Sequence, residues 1–177
     1  MRTVQEVPPY QNGLGRDALP RVDFADAFAV ELPAGSDLRL ASLAKVGYEA
    51  CPAWVKAAMA VRGVLAGAVG LKTGREFLPK DEADWQRAVE ALSPQFSADG
   101  REVLIGLDDW HLDFRASLLV QPGEASTRLV VTTLVYFKHW VGRAYFVPVR
   151  IGHRWVVPAM LEALRRRFMQ IDSGGCS

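Results

Sequence analysis

The sequence predicts an α+β fold, an antiparallel curved sheet with helices on one face and a long helix at the C-terminal end. Two observations carry this. Residues 101–138 read as three alternating runs joined by short turns, a meander. Helical spacing dominates before the meander and again after it, up to about Met169. The order is strand, two helices, meander, helix, and elements grouped in blocks in this way argue for α+β.

Each element has its own signal. Residues 1–20 are polar and rich in Pro and Gly, which suggests an N-terminal arm or loop. Val22–Leu32 alternates, with Phe24, Phe28, Val30 and Leu32 on one face, so it reads as a half-buried strand. Asp26 falls on that apolar face and breaks it. Ser36 or Asp37 offers a cap for a helix carrying Leu40, Leu43, Ala44, Gly47 and Tyr48 at helical spacing. Pro52 suits the start of a second helix, with Trp54, Ala58, Val61, Leu65 and Ala68 as its expected apolar stripe. A further helical pattern lies at Asp84–Leu92, Ser93-Pro94 ends it, and a short strand fits Gln95-Phe96. Ser97–Gly100 is an expected turn.

The meander comprises Arg101–Leu107, Trp110–Gln121 and Arg128–Lys138. Asp108-Asp109 is a hairpin signal. A two-residue loop pairs Leu107 with Trp110, Ile105 with Leu112 and Val103 with Phe114. A four-residue loop keeps the same two faces and changes only the partners. Leu129–Phe137 is apolar on both faces and is expected to be central. Pro148 and Pro158 predict a break or kink in the last helix. The expected domain covers residues 21–170, with 171–177 a disordered tail.

The composition excludes several classes. At 177 residues the chain suits one domain and buries roughly 70% of its unfolded surface. Net charge is +1, which gives no sign of a nucleic-acid partner. Arg165-Arg166-Arg167, with Arg150 and Arg154 upstream, reads as a solvated helix face. Cys51 and Cys176 are far apart and read as free thiols in a reducing compartment, and no secretory signal opens the chain, so a cytoplasmic location is expected. The most apolar run, 57–71, is too short and interrupted to span a bilayer. No metal centre, cofactor, P-loop or Gly-x-Ser-x-Gly motif is indicated.

Several segments resemble a bacterial family, domain of unknown function 2867. They are Asp23-Phe-Ala-Asp-Ala-Phe28, Gly106-Leu-Asp-Asp-Trp-His-Leu-Asp-Phe-Arg115, Thr132-Thr-Leu-Val135, and Gly142-Arg-Ala-Tyr145 with His153-Arg154 beyond. The element order also resembles the START-like, polyketide-cyclase-like helix-grip proteins. That resemblance implies a curved sheet wrapped on the last helix, with a cavity for a small apolar or amphipathic ligand. It implies no catalytic residues.

Seven residues are candidates for a ligand site, each with a structural reading beside it. His111, Asp113 and Arg115 could orient a polar ligand or form a salt-bridged strand face. Asp26 could anchor a ligand or pair with Arg39 or Arg143. Thr133 and Tyr136 could bind a carbonyl or satisfy one another. His153 could act as an acid or base, or simply pack. His139, at a strand-to-helix junction, is most simply structural. Three functions follow: ligand binding, a cyclase- or isomerase-type enzyme using His153 or Asp26, and an interaction module with a core filled by Trp54, Trp110, Trp155 and the phenylalanines.

Overall fold

The computed structural model describes residues 3–9, 13–36, 38, 39, 43, 46, 47, 49–68, 87 and 89–174. Its strands are β1 (Val4–Glu6), β2 (Phe24–Pro33), β3 (Gln95–Phe96), β4 (Glu102–Asp108), β5 (Leu112–Pro122) and β6 (Ser126–Phe137). Its helices are α1 (Ala53–Ala68), which follows β2, and α2 (Trp140–Gly174), which follows β6. The strands form one open antiparallel sheet in the order β1-β2-β6-β5-β4-β3. β6 is central, as its two apolar faces predict. Of the helix expected before Pro52, Leu43, Val46, Gly47, Glu49 and Ala50 are described and helical, while Leu40, Ala44 and Tyr48 lie outside the described residues. Of Asp84–Leu92, Arg87, Val89 and Glu90 are described as helical.

The sheet has two faces, and alternation decides which residues each receives. Phe28, Val30, Leu32 and Leu129 face α2 and pack with Leu43, Leu161, Leu164 and Phe168. Leu32, Leu129 and Val30 are almost wholly buried, each burial worth about 1.5–3 kcal/mol. Toward the other end of β6, Leu112, Val135 and Phe146 form a second cluster with Phe24, Phe114 and Phe137 around it. The opposite sheet face is covered as well. Ala27, Ala29 and Val130 pack there with Val7 and Leu119.

The N-terminal segment supplies that cover. Beyond β1, Val7 N–H donates to the Ala27 carbonyl at 3.0 Å, and Leu19 is buried. Glu102 is also buried. Its carboxylate accepts Ser117 Oγ–H at 2.5 Å and Leu14 N–H at 2.9 Å. A Cβ on Gly13 would run into that carboxylate, so glycine lets the chain pass this closely.

Of the two loop lengths left open, the β4–β5 hairpin has the four-residue one, with Asp108 opposite Asp113 and Leu107 opposite Phe114; the two faces are those expected. Three expectations need correction. Trp54, Trp110 and Trp155 do not fill the core but stand 51%, 52% and 71% exposed. In α1 Val55 is buried, whereas Trp54 and Val61 of the expected stripe face solvent. α2 is continuous through Pro148 and Pro158, so neither proline breaks it. Each proline costs one backbone bond, and the neighbouring turns, packed on the sheet, hold the helix together.

Candidate functional site

Three of the seven candidate residues meet. In the β2–β6 register Asp26 stands opposite Thr133, on the face toward α2. His153 comes down from α2 onto this pair. Its Nε2 lies 3.2 Å from Asp26 Oδ1 and 3.2 Å from Thr133 Oγ1. The trio sits between the two apolar clusters, with the Phe24 ring edge-on to the imidazole at 6.4 Å. Asp26 is thus buried with histidine as its partner, in place of the expected arginine. Arg143 lies instead 4.0 Å from Asp23.

The chemistry of the trio follows from its donors. A carboxylate has no hydrogen to give, so beside it Nε2 carries the proton and donates to Asp26 Oδ1, with Thr133 Oγ1 as a second neighbour. In the neutral ring this leaves Nδ1 as the acceptor. Asp26 Oδ2 is buried and has no hydrogen-bond partner among the described residues. Leaving a buried acceptor unmet costs about 1–3 kcal/mol, so such an atom calls for a reason. The site is not sealed, because the His153 side chain is 17% exposed.

The other four candidates lie elsewhere. Asp113, Arg115 and Tyr136 share the opposite sheet face. There Lys138 Nζ is 2.6 Å from Asp113 Oδ1, and Arg115 Nη1 donates to Asp108 Oδ1 at 2.5 Å. The Arg115 bond holds the Asp108 carboxyl below the usual range. Arg21 lies over the Tyr136 ring, 5.2 Å from its centre. His111 is in the hairpin loop and is buried against Tyr145, ring centres 5.6 Å apart. Burial pushes its imidazole pKa down, against the pull of Asp109, whose Oδ1 is 3.5 Å from Nδ1.

These groups pin the hairpin to the start of α2. The His111 carbonyl accepts the N–H groups of Lys138 and His139 at 3.1 and 3.2 Å. His139 Nδ1 accepts Val141 N–H at 3.3 Å, a capping role. A Cβ on Gly142 would collide with the His111 carbonyl, so the helix can begin this close only with glycine there. Asp23 ties the same end of the sheet, accepting Phe137 N–H at 2.8 Å. Burial raises its carboxyl, but that bond and the neighbouring Arg21 and Arg143 outweigh it, and the net shift is down.

The four motif segments therefore converge on one end of the sheet. A family model described as "Protein of unknown function (DUF2867)" matches residues 18–160. The chain belongs to the DUF2867 family. No curated protein and no solved structure matches it. The matched span holds Asp26, Thr133 and His153 as well as the hairpin anchor.

Sequence reasoning did not single out Glu102, whose carboxylate is buried. Gly13-Leu-Gly15 was the available signal, since both glycines lie under the close approach, Gly15 against Leu134. Two surface grooves open away from the trio. One, about 360 Å³, lies between Pro52 and the Ala159–Arg167 stretch of α2; the other, about 150 Å³, lies beside Val7 and Leu119. Among the described residues no three His, Cys, Asp or Glu side chains gather to hold a metal. No helix among them is long and apolar enough to cross a membrane.

Proposed function

We propose that this domain is a helix-grip, START-like module that binds a small amphipathic molecule where α2 crosses β2 and β6. The observation that carries the reading is the Asp26–His153–Thr133 trio with its unmet Oδ2. That oxygen and the free ring nitrogen are both acceptors, so the ligand's head is a donor, a hydroxyl or an amine. Its apolar body lies against Phe24 and the neighbouring cluster, where burial yields about 25 cal/mol per Å². The C-terminal half of α2 packs against the sheet through Leu161, Leu164 and Phe168, which favours the His153 end for the ligand. A buried Cys51 thiol, its pKa raised by burial, suits a cytoplasmic setting.

Native mass spectrometry of the purified protein, followed by denaturing extraction, tests this. The expected result is a co-purifying O–H or N–H compound that Asp26→Asn and His153→Gln each release. A ligand retained equally by both variants places the site elsewhere. A clean mass, together with no NMR shift near His153 on adding long-chain alcohols and amines, removes the reading.

A second reading, a cyclase- or isomerase-type enzyme, draws on the same orientation. A carboxylate that fixes Nε2–H leaves Nδ1 positioned as a general base. Turnover abolished by His153→Gln while ligand stays bound would distinguish catalysis from binding.

A further inference from the structure

The outer side of α2 is apolar where a solvated helix should be polar. Trp140, Val147, Ile151 and Trp155 are 71%, 62%, 63% and 71% exposed. Ala144 and Pro148, exposed as well, lie between them. The spacing, 140-144-147-151-155, keeps them in one stripe about 22 Å long at 1.5 Å per residue. His153, Phe146 and Gly142 point the opposite way, so the stripe is independent of the Asp26 site. The hairpin extends the surface. Trp110 is 52% exposed and is linked through the tilted His139 ring to Trp140, with ring centres 5.8 and 5.7 Å apart.

Charge selects what covers the stripe. Residues 140–161 contain Arg143, Arg150 and Arg154 and no Asp or Glu, in a chain whose net charge is only +1. All three arginines are exposed, and they fall along one flank of the stripe. Arg143 and Arg154 reach Asp23 and Glu6 only at 4.0 and 3.9 Å, with side chains 62% exposed. The occupant must therefore be apolar within and anionic at its rim. In a second copy meeting this face the nearest carboxylates, Asp23 and Glu6, are already set against Arg143 and Arg154. The stripe is a convex ridge, which a flat layer accepts without a matching groove. Tryptophans on one face with arginines beside them match the preferences of the bilayer interface.

We infer that the exposed face of residues 140–155 of α2, with Trp110, docks this protein in the plane of an anionic lipid surface. Each arginine near such a surface contributes roughly fivefold to partitioning, and salt screens that part.

The test is flotation of the full chain with vesicles of phosphatidylcholine alone or with about 30% phosphatidylserine, an anionic lipid. Wild type should float with the anionic vesicles, with a blue shift of tryptophan emission, and should be released by high salt. Arg150→Glu/Arg154→Glu should lower partitioning about tenfold or more. Ile151→Glu should abolish the blue shift. Because these positions are exposed, circular dichroism should remain that of wild type. No flotation on anionic vesicles, or flotation unchanged in all variants, overturns the inference. Dimerisation that Ile151→Glu abolishes, without vesicle binding, assigns the face to a second copy instead. Capture by an acidic polypeptide with no lipid binding likewise overturns it.

Discussion

Replacing His153 with Leu should expose the cost of the buried carboxylate beneath it. In the wild type Asp26 Oδ1 faces His153 Nε2 at 3.2 Å and Oδ2 has no partner among the described residues. The variant leaves Asp26 beside the Thr133 hydroxyl alone, among Phe24 and Phe28. Breaking a buried pair by removing one member costs about 3–5 kcal/mol. His153 is 17% exposed, so water reaches part of the gap and the lower end applies, about 3 kcal/mol. For a chain this long that is roughly 6–12 °C in Tm. Asp26→Val/His153→Leu removes the carboxylate and the imidazole together and fills the space with apolar atoms, so it should return to within about 1 kcal/mol of wild type or exceed it. Urea unfolding of the four proteins closes a double-mutant cycle, with an expected coupling of about 2 kcal/mol. A fold that gains stability by losing the pair is keeping it for something other than stability. If His153→Leu costs under about 0.5 kcal/mol and the effects add, the carboxylate is solvated and the polar site dissolves with it.

Four other outcomes follow from the same contacts. Glu102→Gln presents an amide to Ser117 Oγ and Leu14 N–H, loses one acceptor, and should cost about 1.5–3 kcal/mol, with Leu14 amide exchange accelerated in NMR. His111 has a folded pKa below its unfolded value of about 6.5, so the unfolded chain binds its proton first. Its contribution is intact above that pH and is lost as pH falls through it; urea midpoints between pH 7.5 and 5.5 should drop, and less so in His111→Gln. Gly142→Ala forces a methyl onto the His111 carbonyl and should cost about 1–3 kcal/mol by thermal melting. Leu164→Ala, at 4% exposure, should cost about 2–5 kcal/mol, whereas Trp155→Ala should stay within about 0.5 kcal/mol, contrary to a tryptophan-filled core.

Alternation alone determined a good deal. It separates the two faces of Phe24–Pro33 and of the meander, because side chains on a strand can point only two ways. It therefore placed Asp26 on the apolar face, marked Leu129–Phe137 as central, and kept both hairpin faces right although the loop length stayed open. Composition could not say what lies over each face. Nothing local marked Glu102 for burial; the Gly13–Leu14 segment crosses it, a contact between residues 88 positions apart. His153 became the partner of Asp26 across 127 positions, and Tyr136 parted from Thr133 because three residues along a strand reverse the side. The tryptophans misled for a related reason. A large apolar side chain signals burial only if an element arrives to cover it, and on the outer side of α2 none of the described elements does. Local periodicity fixes which way a side chain points, and tertiary packing alone decides what it meets there.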